Sequence, residues 1–145
     1  MKIGIVGSGA EKFRTDQIEV VKVLIESLLS DPLDSLVSGA SPGGGIDDWA
    51  EQVSDRLGRN KLIHAPKNQS WKDGYRRRNL RIARDSDIVH VIVPRDYPVD
   101  YMGKRDVTCY HCAGSETPRH IRSGGCWTGR KAVSAGKDAR WHVIP

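Results

Sequence analysis

Short apolar runs alternate along this chain with stretches whose apolar residues recur every three or four positions, which predicts strands separated by helices. Lys2-Ile3-Gly4-Ile5-Val6 is an apolar run closing on Gly7-Ser8-Gly9-Ala10, the way a buried parallel strand feeds a turn. From Asp16, the residues Ile18, Val21, Ile25 and Leu28 keep helical spacing, with Asp16 and Glu19 placed as a capping box and Asp31-Pro32 as the stop. Ser35-Leu36-Val37-Ser38-Gly39 reads as a second strand that runs into the loop Ser41-Pro42-Gly43-Gly44-Gly45, a path open to glycine-rich backbone. Asp47 or Asp48 then caps a helix with Ala50, Val53 and Leu57 on one face, ending near Gly58.

The alternation continues. Leu62-Ile63-His64-Ala65 predicts a third strand, and the arginine-rich stretch to Arg84 a helix with Leu80 and Ala83 packed inward. Residues 87–93 carry the strongest strand signal, residues 95–126 form a long insertion, and a helix over 128–136 leads to a last strand at 141–144. Strands alternating with helices predict an α/β protein, a Rossmann-like three-layer sandwich whose mostly parallel sheet is covered on both faces. At 145 residues the chain is the size of one domain, residues 1–145. A domain of that size buries roughly 70% of its unfolded surface, so disulfides are not needed to stabilise it.

Net charge is +5, with Arg76, Arg77, Arg78, Arg81 and Arg84 crowded together, which points to anionic partners such as phosphates or nucleic acid. A solvated basic helix is the plainer account of the outer arginines. The first residues lack the apolar region of a signal peptide, and no apolar run approaches the roughly 20 residues of a membrane span. The expectation is a cytoplasmic protein without a membrane partner.

The three cysteines fall close together as Cys109-Tyr110-His111-Cys112 and Cys126, with His120 between them. Cytoplasmic thiols stay reduced, and a Cys-x2-Cys pair with one further His and one further Cys supplies the four soft ligands of a tetrahedral structural zinc site. The expected ligands are Cys109, Cys112, His120 and Cys126, with His111 as the substitute for His120. Bound Zn2+ would order an insertion longer than the roughly 15 residues at which unstructured loops become uncommon. Reduced cysteines without metal and a redox Cys-x2-Cys pair are the competing accounts; the redox pair normally opens a helix after a strand. Four protein ligands leave no open position for water, which disfavours a catalytic metal.

Gly7-Ser8-Gly9 departs from the dinucleotide fingerprint because Lys12 stands at its third glycine position, and no glycine loop is followed by a P-loop lysine. What remains are strand-to-helix turns whose backbone N–H groups can hold an anion outside the strand ends. Residues 38–45 form one such loop. Ser123-Gly124-Gly125-Cys126-Trp127-Thr128 is another, with two hydroxyls and two glycines at a helix start.

The order of these motifs resembles the SLOG superfamily of Rossmann-like proteins, which includes the Lonely Guy enzymes, lysine-decarboxylase-like proteins and the DNA-processing protein A family. Gly7-Ser8, Ser38-Gly39 leading to Gly45-Ile46-Asp47 and Ala50-Glu51, Arg78-Asn79 before Asp87, and Ser123-Gly124-Gly125 with Thr128 carry the resemblance over nearly the whole chain. It implies a pocket for a nucleotide, a nucleotide-derived signal or single-stranded DNA, and a homodimer paired through helices. By position, Gly7, Ser8, Ser38, Gly39, Gly45, Asp47, Arg78, Asn79, Ser123, Gly124, Gly125 and Thr128 would line the pocket. The chain departs from the Lonely Guy pattern where Thr128-Gly129-Arg130-Lys131 offers no carboxylate, and the cysteine-bearing insertion is absent from that pattern.

Three functions stay open. A binding module would hold a phosphorylated ligand, Arg78 meeting phosphate and Asp47 a ribose hydroxyl. An N-glycosidic hydrolase or transferase would use Asp47, Asp48 or Glu51 at an oxocarbenium-like centre, although all three suit structural places in a helix first turn. A single-stranded nucleic-acid binder would stack bases on Trp71, Tyr75, Tyr110 and Trp127.

Overall fold

The computed structural model describes residues 1–145. Its elements alternate as β1 (Lys2–Gly7), α1 (Thr15–Leu28), β2 (Ser35–Ser38), α2 (Ile46–Leu57), β3 (Lys61–Ile63), α3 (Arg76–Asp85), β4 (Ile88–Pro94), α4 (Gly124–Ser134) and β5 (Asp138–Ile144). The strands form one sheet in the order β3-β2-β1-β4-β5, and every pairing is parallel. The α/β three-layer sandwich expected from the apolar pattern is therefore present, with an entirely parallel sheet. All seven residues of β4 are buried, as a central strand covered on both faces requires.

Side chains alternate across the sheet, so each strand feeds two cores. Ile88 and Ile92 of β4 join Ile3 and Ile5 of β1 beneath α1 and α2, whose Val21, Ile25, Trp49 and Val53 close that side. Val89, Val91 and Val93 face the other way, against Ile82 and Ala83 of α3, Ala132 of α4 and the three cysteines. No helix is long and apolar enough to cross a membrane.

Several element boundaries differ from those the sequence predicts. The first helix opens at Thr15, where the Gln17 side chain accepts from the Arg14 N–H at 2.8 Å, so Asp16 and Glu19 do not form a capping pair. Gly45, at φ +106°, precedes α2, which places Asp47 and Asp48 inside its first turn. A Cβ on Gly45 would also meet the Ser8 carbonyl and the Gly9 Cα, so this turn needs glycine twice over. In α3 the inward residues are Arg78, Asn79, Ile82 and Ala83, and Leu80 is exposed. A five-residue π-helical turn, Trp71–Tyr75, leads into that helix.

The last helix begins at Gly124 rather than Thr128. Ser123 caps it, its Oγ accepting from the Gly125 N–H at 3.2 Å, and this start puts Cys126 in the first turn instead of the insertion. The final strand begins at Asp138 because it pairs with β4 along its whole length. Between β4 and α4 the insertion holds one 3-10 turn, Tyr110–Cys112. Its start is tied by Arg105, which donates to the carbonyls of Pro98, Val99 and Tyr101 and lies against the stacked rings of Tyr97 and Tyr101.

Candidate functional site

The chain leaves β1 toward one face of the sheet and β4 toward the other. Ligands of open α/β sheets bind in the crevice that such a reversal opens beyond the strand ends. A cleft of about 220 Å³ lies there, walled by Gly7 of β1, Gly124 and Gly125 of α4, Asp47 of α2, and Arg78 and Asn79 of α3. The backbones of β1 and α4 nearly touch: a Cβ on Gly125 would stand 2.7 Å from the Gly7 nitrogen, while Gly7 itself is pressed against β4, where a Cβ would stand 2.0 Å from the Ile92 carbonyl oxygen. Glycine at position 125 lets the start of α4 reach the strand ends.

Arg78 organises the opposite wall. It donates from Nη1 to the Gly39 carbonyl at 2.6 Å and to Asp47 Oδ2 at 3.4 Å, and from Nε to Asn79 Oδ1 at 2.7 Å. Its guanidinium lies 5.1 Å from the centre of the Tyr75 ring. Ser41 Oγ donates to Asp47 Oδ2 at 2.5 Å. Arg78 and Asp47 are both buried, so this is a desolvated ion pair held by additional hydrogen bonds. Burial pushes the Asp47 carboxyl above its ordinary range, against the opposing pull of Arg78 and Ser41. Glu51 is also raised, by burial first, and accepts a hydrogen bond from Ser38 Oγ at 3.3 Å.

The residues expected to bind ligand divide into two layers. Gly7, Asp47, Arg78, Asn79, Gly124 and Gly125 line the cleft. Ser8, Ser38, Gly39, Gly45, Ser123 and Thr128 are outside that lining: Gly39 receives Arg78, Gly45 starts α2, Ser123 caps α4, and Ser38 bonds Glu51. The hydroxyls of Ser8 and Thr128 are buried and find no protein partner. Of the three candidate catalytic acids, only Asp47 reaches the cleft. Asp48 is exposed and receives Gln52 at 3.0 Å, while Glu51 lies outside the lining.

The cleft also takes in Ser41, from the 38–45 loop, and Trp71, Tyr75 and Arg122, which the sequence did not assign to a small-ligand pocket. Tyr75 precedes Arg78 by three positions, a spacing that puts both on one helical face and could have been noticed. Arg122 directly precedes the Ser123-Gly124-Gly125 turn, which was a second available signal. Trp71 arrives through the π-helical turn, which leaves no mark in the apolar periodicity.

Beside the cleft, Cys109, Cys112, His120 and Cys126 are all buried, and their ligand atoms lie within 4.8 Å of one another. The four can hold one metal ion between them. His120 Nδ1 is 2.7 Å from the Ile121 carbonyl, so it carries the proton and leaves Nε2 free on the thiol side, 3.9 Å from Cys126 Sγ. The Trp141 indole N–H donates to Cys126 Sγ at 3.3 Å, favouring sulfur with thiolate character. The Cys109 and Cys126 thiols share a proton contact: the hydrogen bond lowers Cys109, while that contact and burial raise Cys126. His111 points elsewhere and borders a neighbouring cleft, so His120 fills the fourth position and the substitute is not used.

Fold and geometry together define a Rossmann-like α/β domain with a strand-end cleft and a Cys3His cluster. No protein-family model matches the chain, and no curated protein matches it.

Proposed function

We propose that the protein binds a phosphorylated small molecule, a nucleotide or nucleotide-derived compound, in the strand-end cleft, and that Cys109, Cys112, His120 and Cys126 hold a structural Zn2+ beside it. The observation that carries the reading is the convergence of the glycine-paired start of α4 with Arg78 and Arg122 on one cleft at the reversal point of the sheet. Helix starts and arginine forks both favour phosphate oxygens. The resemblance to the SLOG superfamily favours the same ligand class. Zinc is the metal of choice for three thiolates and one imidazole in a closed tetrahedron. Reduced thiols suit the cytoplasm.

Native mass spectrometry before and after acid denaturation tests both halves. The expected result is one zinc per chain, released by acid, together with a mass of nucleotide size. Metal-free protein that carries no ligand and gains no thermal stability from nucleotides would overturn the proposal.

A second reading, hydrolysis of an N-glycosidic bond, is favoured by one feature: Asp47 is a buried acid with a raised pKa that lines the cleft. Base release from nucleoside monophosphates, abolished in Asp47→Asn with binding retained, would establish turnover. Absence of release at micromolar enzyme leaves the binding module.

A further inference from the structure

The 220 Å³ cleft is smaller than the roughly 300–1,000 Å³ usual for pockets that hold a whole small ligand. It adjoins a second cleft of about 460 Å³, and Trp71, Arg122 and Gly124 belong to both. The second cleft has a different chemistry. Its remaining walls are Tyr110, His111 and Trp127, so four of its six lining residues carry aromatic rings. Trp71, Tyr110 and Trp127 are three of the nine Trp, Tyr and Phe residues of the chain, a concentration in a lining of six.

These rings are not core residues. Trp71 is 47% exposed and Tyr110 61% exposed. Each is nevertheless held in place. Trp71 meets Trp127 edge to face with ring centres 5.0 Å apart, and Tyr110 lies against His111 at 4.1 Å. Arg122 sits over the Tyr110 ring at 5.3 Å and donates to its hydroxyl at 3.3 Å, while Lys131 lies 5.2 Å from the Trp127 ring centre. Exposed aromatics grouped in a concave wall with cations between them form a surface for stacking a flat ring attached to an anion.

We propose that this aromatic cleft is the subsite for the planar base of the ligand, with the phosphate end in the strand-end cleft and Arg122 between the two. The inference rests on the phosphorylated-ligand reading above and adds the second half of the molecule. A sugar phosphate would leave the aromatic wall empty. A nucleotide fills both clefts.

The metal cluster gives this wall its shape. Tyr110 and His111 are the two residues between Cys109 and Cys112, on a 3-10 turn closed by the Cys112 N–H donating to the Cys109 carbonyl at 3.2 Å. Trp127 follows Cys126 directly. Three of the four metal-binding side chains thus adjoin in sequence the three rings of the second cleft that the first cleft does not share. Zinc would fix the base wall without touching the ligand.

The test is calorimetric titration of the zinc-loaded protein with AMP, GMP, CMP, UMP and ADP-ribose, each compared with ribose 5-phosphate. At least one base-bearing probe should bind roughly 5- to 150-fold tighter than ribose 5-phosphate, the range that one stacked base contributes. Tyr110→Ala combined with Trp127→Leu should erase that difference when each probe is compared with ribose 5-phosphate on the same variant, with zinc content held at one per chain. Trp127→Phe, which keeps a ring, should retain most of it. If ribose 5-phosphate binds as tightly as every base-bearing probe, or if the double variant keeps the discrimination, the base subsite is wrong and the phosphate cleft stands. If none of the probes binds, ribose 5-phosphate included, the parent reading falls and this inference with it.

Discussion

The two faces of the sheet are closed by different physics. Beneath α1 and α2 the core is built of large apolar side chains: Ile5, Ile25, Leu29, Leu36 and Ile92 are fully buried, and Phe13 meets Trp49 edge to face at 5.5 Å. Beneath α3 and α4 the apolar residues are smaller, chiefly valine and alanine, and three cysteines complete the layer. That second face also buries Arg78 and Asn79. A core of large aliphatics gains enough from burial to stand alone, whereas one interrupted by thiols and a guanidinium needs specific partners for its polar groups. The strand-end cleft opens where that need is greatest.

The sharpest way to break this comparison is to empty the proposed zinc site. Chelation, or Cys126→Ser, should lower the melting temperature by more than 10 °C, because structural zinc contributes on the order of 10 kcal/mol of apparent binding energy to small zinc domains. Amide exchange should rise in α3, α4 and residues 95–123 while α1 and α2 keep their protection. Uniform loss of protection over both faces would dissolve the distinction.

Arg78→Ala is the next largest test. It leaves Asp47 buried without its cation, a change that typically costs about 3–5 kcal/mol, and urea denaturation should register it. Adding Asp47→Asn should restore part of the loss, because the uncompensated charge goes with it. No recovery in the double variant would mean that Arg78 acts through packing on Tyr75 and the Gly39 carbonyl instead.

Legibility in the sequence followed the same division. Strands β1 and β4 were readable because a strand buried on both faces is an unbroken apolar run. The cysteine cluster was readable because soft ligands at metal spacing are rare, although the pattern placed Cys126 in a loop and it lies in the first turn of α4. Glycines at 124 and 125 argue against a helix locally, and only the Ser123 cap and the close approach to Gly7 reveal why one starts there. The cleft was half readable. Arg78, Asn79 and Asp47 came from the order of motifs, but Trp71 depends on a π-helical turn fixed by Gly74, where a Cβ would lie 1.9 Å from the Asn68 carbonyl oxygen. Such a contact joins residues through backbone geometry, which hydrophobic periodicity does not encode.

A smaller test probes the apolar face. Ile25→Ala removes a fully buried side chain and should cost about 2–4 kcal/mol, with zinc content held at one per chain. Zinc loss in this variant would show that the two faces are coupled through the sheet.

The smallest expected effect lies on the same face, where it is least apolar. His90 and His142 stand side by side on β4 and β5, His90 Nδ1 2.9 Å from His142 Nε2. That contact needs one nitrogen bearing a proton and one without, so it does not survive protonation of both rings. Burial lowers His90 to about 4 and also lowers His142. Between the ordinary histidine value near 6.5 and about 4, the unfolded chain therefore takes up a proton that folded His90 refuses, and stability falls as pH falls through that window. Solvent screening of the pair reduces the contribution to about 1–2 kcal/mol. Zinc release in the same pH range would destabilise wild type and variant alike, so the informative quantity is their difference. Urea stability measured from pH 7.5 to 4 should show a shallower decline in His90→Gln than in wild type. Parallel curves would mean that the His90–His142 pair contributes nothing to the acid sensitivity of the fold.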